Sequence, residues 1–349
     1  DIEKILMQSL EVKGENRIQS AEEMKKLLLE ARPHVKPVKP NVKPERNKVS
    51  GWAAVPVFLL IGAVFVIGSW WAYKLLEKKD SSISQQVKID EASFPDPSFR
   101  AYVLENADTD GDGVLSEEEC QQVRIIEIVS GSVSSLEGVE YFPNLGYLDC
   151  RDNQLKSLDL SSNPELLQLD CDRNSLTELD LSNNPKLVYL ACDGNSLTEL
   201  DLSHNPKIET VYCNRNGLTE LDLSQNSELF LLYCVENSLT ELNLSQKPAL
   251  AYLSCAENNL TFLDLSQNPE LEDLFCDGNS LTSLDLSQNS NLEYLSCNEN
   301  DLTSLDLSQN PRLDYISCSG NNLTSLDLSN NSWIGENNLS VDDGVEIIR

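Results

Sequence analysis

The stretch Leu187–Lys207, LVYLACDGNSLTELDLSHNPK, decides the fold, because the chain repeats it at a fixed step on both sides. Cys150, Cys171, Cys192, Cys213, Cys234, Cys255, Cys276, Cys297 and Cys318 are spaced 21 residues apart, which places nine of the ten cysteines in one column. A fixed period of this size marks a solenoid, in which each repeat is one coil that buries its apolar side against its neighbours. The unit reads L-x-x-L-x-C-x-x-N-x-L-T-x-L-D-L-S-x-N-P-x. Alternation in L-x-C and in L-D-L sends Leu and Cys to one side and the intervening residues to the other, which predicts two short strands per coil. Asn153, Asn174, Asn195 and their successors to Asn321 follow the Cys strand. An inward amide there satisfies backbone groups left open at the turn, and its repetition predicts a ladder.

These units resemble the leucine-rich repeats of bacterial surface proteins, most closely the cysteine-bearing 21-residue units of internalin-type adhesins. The resemblance covers residues 125 to 331 and implies a β-rich leucine-rich-repeat solenoid of about nine coils; it fixes no ligand. One cysteine per coil at a core position reads as a small buried hydrophobe, so free thiols are expected. Stacking near 4.8 Å would also permit bridges between coils. Cys120 has no evident mate, and Cys-x2-Cys zinc spacing does not occur.

The repeats provide an internal control on function. Columns that stay fixed serve the stack, whereas outward columns that vary are free to serve something else. Asp159, Asp180, Asp201, Asp222, Asp264, Asp285, Asp306 and Asp327 form a constant, solvated acidic face. The Cys strand varies instead, and Tyr189, Tyr212, Tyr233, Tyr252, Phe275 and Tyr294 are read as an exposed aromatic stripe suited to an extracellular protein or glycan ligand. Packing of the rings on one another is the competing explanation.

Ahead of the repeats, DTDGDGVLSEEE at 108–119 has the form of an EF-hand loop, following a helix predicted from Pro97. Asp108, Asp110 and Asp112 offer carboxylates, Val114 a carbonyl, Ser116 a water-mediated contact and Glu119 a bidentate carboxylate, so Ca²⁺ is the expected cofactor. A single loop beside the first coil is compatible with a structural clamp or with a switch.

Residues 52–73, WAAVPVFLLIGAVFVIGSWWAY, hold no charge and match the length of a membrane span. One transmembrane helix is therefore expected, with aromatic residues at its ends. Six basic residues on its N-terminal flank against four on the other place the N-terminus in the cytoplasm and the repeats outside the cell. Residues 1–31 carry a capping box, Ser20 with Glu23, and resemble the closing helices of a bacterial Ser/Thr kinase domain at Leu10, Arg17, Ser20, Glu23 and Leu27–Leu29. The catalytic motifs of such kinases are absent from this sequence, so the chain itself is expected to be non-enzymatic, with a missing kinase domain in cis. The chain opens on Asp1 without a signal peptide, and a truncated N-terminus is expected.

The resulting division is kinase-like helices at 1–31, a Pro/Lys juxtamembrane linker at 32–50, the span at 51–73 and a stalk at 74–90. An EF-hand and helical cap at 91–144, repeats at 145–331 and a C-terminal cap or tail at 332–349 complete it. Two functions follow: the ligand-binding sensor of a receptor-like kinase, or a membrane-anchored adhesin. Residues 1–90 carry a net charge of +4 by count, leaving −35 for the rest against −31 for the chain. Nucleic acid is excluded as a partner on that ground, since phosphate binding needs clustered cations.

Overall fold

The computed structural model describes residues 86–129 and 131–349. Nine strands recur at the predicted period: β4 (Tyr147–Asp149), β5 (Gln168–Asp170), β6 (Tyr189–Ala191), β7 (Thr210–Tyr212), β8 (Leu231–Tyr233), β9 (Tyr252–Ser254), β10 (Asp273–Phe275), β11 (Tyr294–Ser296) and β12 (Tyr315–Ser317). They pair in parallel and in register, so each residue faces its counterpart 21 positions on. β3 (Ile125–Glu127) extends this sheet at one end and β14 (Leu339–Ser340) at the other, giving eleven strands among the described residues. The leucine-rich-repeat solenoid is thus the fold.

Its core is a stack of identical layers. Leu190 and Cys192 point inward with Leu187, Leu197, Leu200 and Leu202, and each is buried. All ten cysteines are free thiols and buried. The expected amide ladder is present: Asn174 donates through Nδ2 to the carbonyls of Cys150 and Cys171 at 3.0 and 3.1 Å and accepts from the Leu155 amide at 3.0 Å. The turn beyond each Cys runs through a left-handed residue, Gly194, Gly278 and Gly320 in three coils and Arg173, Arg215 or Glu236 in others.

A second amide ladder lies on the opposite side of each coil. Asn184 donates to the carbonyls of Leu160 and Asn163 at 3.1 and 2.9 Å, and Asn163, Asn205, Asn226, Asn268, Asn289, Asn310 and Asn331 bond in the same way. Lys247 takes the place of Asn in one coil, buried, with its Nζ on the Ser245 carbonyl at 3.0 Å.

The L-D-L segment does not form the second strand predicted. Its Asp side chain turns back to accept the backbone N–H of the Ser two residues on, as from Asp180 to Ser182 at 2.9 Å. This Asx turn alone does not exclude pairing, since Asp327 makes it too within a paired strand; the other L-D-L segments lack a ladder partner among the described residues. At the last coil, β13 (Ser325–Asp327) does form, because β15 (Glu346–Ile348) pairs with it in parallel.

The N-terminal cap covers the first coil. β1 (Val87–Lys88) pairs antiparallel with β2 (Val114–Leu115), and α1 (Pro97–Asn106) packs Phe99 and Val103 into the core end. Asp96 caps α1 by accepting from the Ser98 and Phe99 amides, while its second oxygen accepts from Ser134 N at 2.8 Å and so ties the helix to the loop before the first coil. Gly138 (φ +107°) closes this region, and a Cβ there would fall 2.3 Å from the Phe94 ring.

Three expectations are corrected. The exit element α2 (Glu117–Gln122) is only six residues long and pins Glu119 in a capping box with Ser116, so the loop is not the complete EF-hand predicted. No helix among the described residues is long and apolar enough to cross a membrane. Among the described residues nothing supports the single-pass membrane architecture, the membrane as a partner or the cell-membrane location with outward-facing repeats, and what they form is a solenoid with its caps. The segments on which the span and the kinase resemblance rested, 51–73 and 1–31, lie outside the described residues.

Candidate recognition face and metal-binding loop

The outward side of the parallel sheet is built from two neighbouring rows. In the first, Tyr147, Gln168, Tyr189, Thr210, Leu231, Tyr252, Asp273, Tyr294 and Tyr315 stand one per coil; in the second stand Asp149, Asp170, Ala191, Tyr212, Tyr233, Ser254, Phe275, Ser296 and Ser317. Register brings consecutive side chains about 4.8 Å apart, closer than the width of a ring, so large neighbours must tilt or stack.

The predicted aromatic stripe divides accordingly. Tyr189 and Tyr212 pack at 5.8 Å and Tyr212 and Tyr233 edge-on at 5.3 Å, with Tyr189, Tyr212 and Tyr252 buried. Tyr233, Phe275 and Tyr294 are half-buried. Phe275 lies 4.9 Å from Tyr294, which in turn stacks nearly parallel on Tyr315 at 4.1 Å. Three aromatic residues outside the predicted set stand with it: Tyr147 and Tyr315 in the first row, and, beside the rows, Phe230, which is exposed and packs edge-on against Tyr252 at 5.3 Å. Tyr315 was visible in the repeat alignment as the next member of its row. Phe230 stands one position earlier, in a column that alternation alone does not assign to either side.

Over β4–β7 the same face is acidic. Arg151 lies between Asp149 and Asp170, at 3.4 and 3.1 Å. In the adjoining column Asp172 accepts the Asp193 amide at 2.7 Å, and Asp193 accepts both the amide and the side-chain Nδ2 of Asn214 at 2.7 and 2.8 Å. Burial, followed by the charges of Asp172 and Asp149, pushes the Asp170 carboxyl up to about 7. Burial raises Asp172 and Asp193 as well, against the hydrogen bonds each accepts.

In the loop after α1, the carboxylates of Asp108, Asp110 and Asp112 converge with ligand oxygens within 4.8 Å of one another. Their orientation is set by the loop itself: Asp108 accepts from the Gly111 and Gly113 amides at 2.8 and 3.0 Å, and Asp112 from the Val114 amide at 2.7 Å. This triad can coordinate a metal ion. Glu119 is not part of it. One of its oxygens accepts from Thr109 N and Oγ1, each at 2.7 Å, and the other from Ser116 N and Oγ at 2.9 and 2.8 Å. Burial works to raise its carboxyl, but those bonds outweigh it and hold the group down at about 2. Of the four predicted carboxylate ligands three are brought together, while Val114 lies in β2 and the Ser116 hydroxyl caps α2.

A leucine-rich-repeat family model matches residues 195–210. No curated protein matches the chain. Among solved structures, the functional domain of InlJ from Listeria monocytogenes, which includes a cysteine ladder, aligns with a TM-score of 0.70 and 38% identity. That alignment covers 72% of this chain and 56% of the other, so the chain spans little more than half the length of that relative. A leucine-rich-repeat protein of Leptospira interrogans aligns at 0.57 with 23% identity over 65% of this chain and 69% of that one. The internalin inlF from L. monocytogenes aligns at 0.51 with 20% identity over 74% and 98%. The last two share the fold alone. The chain carries a leucine-rich-repeat β-solenoid related to internalins, an architecture typical of non-catalytic interaction scaffolds.

Proposed function

We propose that the outward sheet face binds a protein partner in the manner of an adhesin, with the half-exposed rings Tyr233, Phe275 and Tyr294 as principal contacts and Phe230 and Tyr315 beside them. The observation that carries this reading is the contrast between columns. Inward residues and the Asx-turn Asp repeat almost unchanged, while the two outward rows change character from coil to coil. Partly exposed aromatic rings beside Glu272, Glu293 and Asp273 supply the apolar centre and polar rim of a protein interface. Tyr189, Tyr212 and Tyr252 support that surface from within as packed rings. The test is selection of a displayed random-peptide library on the wild-type chain, repeated with the double variant Phe275→Ser/Tyr294→Ser. Enrichment on the wild type that is lost in the folded variant is expected; enrichment retained in the variant overturns the assignment, and binding only on a glycan array replaces the protein partner with a sugar.

The sensor of a receptor-like Ser/Thr kinase is the finer alternative, resting on the resemblance at residues 1–31. Reading the gene upstream of Asp1 separates the two, since that alternative requires a kinase core there. For the Asp108–Asp110–Asp112 triad, we propose a hard divalent cation. Carboxylate oxygens make Ca²⁺ the first ion to test, and the expected effect is a rise in melting temperature on its addition.

A further inference from the structure

The column from Arg151 to Ser319, one residue after each cysteine, runs along the rim of the sheet face. Where its side chain carries an acceptor, that side chain usually serves the coil ahead. Asp172 Oδ1 accepts from Asp193 N, Asp193 Oδ1 from Asn214 N and Asn214 Oδ1 from Val235 N, each at 2.7 Å. Further on, Asp277 Oδ1 accepts from Asn298 N at 2.7 Å and Asn298 Oδ1 from Ser319 N at 2.8 Å. The last two oxygens also take a hydroxyl of the outward row, Ser296 Oγ onto Asp277 and Ser317 Oγ onto Asn298, both at 2.7 Å. A single oxygen thus collects a backbone N–H and a serine O–H.

Val235 and Ala256 interrupt this column, because neither side chain has an oxygen. Ser254 Oγ and Ala256 N, the counterparts of Ser296 Oγ and Asn298 N, therefore have no hydrogen-bond partner among the described residues, and neither does Asp277 N. The column's other amides are all satisfied, those of Arg151 and Asp172 by the aspartate two positions earlier. The gap is open to the outside. Val ends one atom short of the place that an Asp or Asn oxygen holds, and Ala ends shorter still. Apart from Ala256, the side chains of the column are half-buried, so their outer ends meet the surface. The Ser254 hydroxyl is not sealed in, unlike those of Tyr212 and Tyr233. Ser254 itself stands in register between Tyr233 and Phe275, two of the half-exposed rings of the recognition face.

An oxygen brought from outside would complete the pattern. Burial, followed by the charges of Glu299, Glu236 and Asp277, raises the Glu257 carboxyl, so the rim is already acidic and a further carboxylate would be repelled. A carboxamide is neutral and offers N–H donors to those acids, and Asn298 shows a carboxamide oxygen accepting one serine O–H and one backbone N–H.

We propose that the gap at Val235 and Ala256 is a docking point for the side chain of an Asn or Gln of the protein partner, whose oxygen accepts from Ser254 Oγ and Ala256 N. The partner thereby supplies the rung that this chain lacks. This rests on the reading of the sheet face as the recognition surface and adds the chemistry of one contact.

The test is titration of the nitrogen-15-labelled chain with propionamide, the analogue of the Gln side chain, followed through the backbone amide resonances. The Ala256 amide is expected to shift saturably and about threefold further than those of Asn298 and Ser319, which are already bonded. Propionate should move it less than about half as far, since the acids of the rim oppose its charge. Val235→Asn supplies the oxygen from within, as Asn214 and Asn298 do; it should abolish the Ala256 shift and slow the exchange of that amide with solvent roughly tenfold. No selective shift, an equal shift with propionate, or an unchanged response in Val235→Asn overturns the proposal. Ser254→Ala should weaken propionamide binding several-fold while circular dichroism shows the fold intact, and unchanged affinity counts against the site. Phe275→Ser/Tyr294→Ser should respond to propionamide as the wild type does, so failure of the aromatic contact and failure of this docking point are read separately.

Discussion

Replacing Lys247 by Asn should stabilise the solenoid. In eight other coils an Asn at this column donates Nδ2 to two carbonyls of the preceding coil. By the same spacing, Asn at 247 would meet the carbonyls of Leu223 and Asn226, which accept only from the amides of Asn226 and Leu229 at 2.9 and 3.3 Å among backbone donors. Two added hydrogen bonds are worth about 0.5–1.5 kcal/mol each. Burial of the ammonium, which lowers the Lys247 pKa against the opposing charge of Asp222, would end. Gln246 (φ +59°), whose counterparts Gln225 and Gln267 keep negative φ, could return to an ordinary conformation, a gain of about 1 kcal/mol. Loss of the buried lysine stem offsets part of this, leaving about 2 kcal/mol net. In a domain of this size that corresponds to a rise in melting temperature of roughly 4–8 °C, measured by circular dichroism. Lys247→Met removes the charge without supplying an amide and should give less than half the gain. An unchanged or lower melting temperature for Lys247→Asn, or equality of the two variants, would refute the ladder argument.

The raised Asp170 carboxyl means that the folded chain holds a proton the unfolded chain has released, so stability should fall as pH rises from about 4 to about 7, by on the order of 2–4 kcal/mol. Asp170→Asn should lessen that slope in a denaturant-midpoint profile against pH, while Asp172 and Asp193, also raised by burial, sustain the rest. Calcium should raise the melting temperature of the wild type and leave that of Asp108→Ala unmoved; a wild type that melts identically with calcium and with chelator rules out the triad as a calcium site. Native chain should be almost inert to a thiol-exchange reagent at pH 8, because burial shields the cysteine column and pushes its thiols up, to about 12 at Cys255, whereas urea should release all ten. Fast native labelling of more than one thiol would show that the column is open.

Much of the fold was legible because a cysteine every 21 residues is an arithmetic fact, and period alone fixes which residues stack. The first amide ladder followed from that period. The second was equally present in S-x-N-P, but an Asn beside Pro in a turn attracts a local explanation, and its bonds run to residues 21 and 24 positions back. The missing L-D-L strand shows where alternation misleads: it sorts side chains to two sides but supplies no pairing partner, and only the last such segment, with the same Asx turn at Asp327, finds one in β15. Ring exposure was illegible for a different reason. Whether Tyr212 is open or covered depends on Tyr189 and Tyr233, its neighbours across the sheet, and their tilts are not written in any single coil. Similarly, the loop motif listed oxygen donors without revealing that Glu119 was already held by Thr109 and Ser116.

In-register stacking also bears on how such a chain changes over generations. Because every layer meets its neighbours through the same side chains and the same amide bonds, gain or loss of a 21-residue block at the DNA level rejoins each column without a seam. The recognition surface can therefore lengthen or shorten in steps of about 4.8 Å while its caps stay as they are. Point substitution in the two outward rows then rewrites what each step reads.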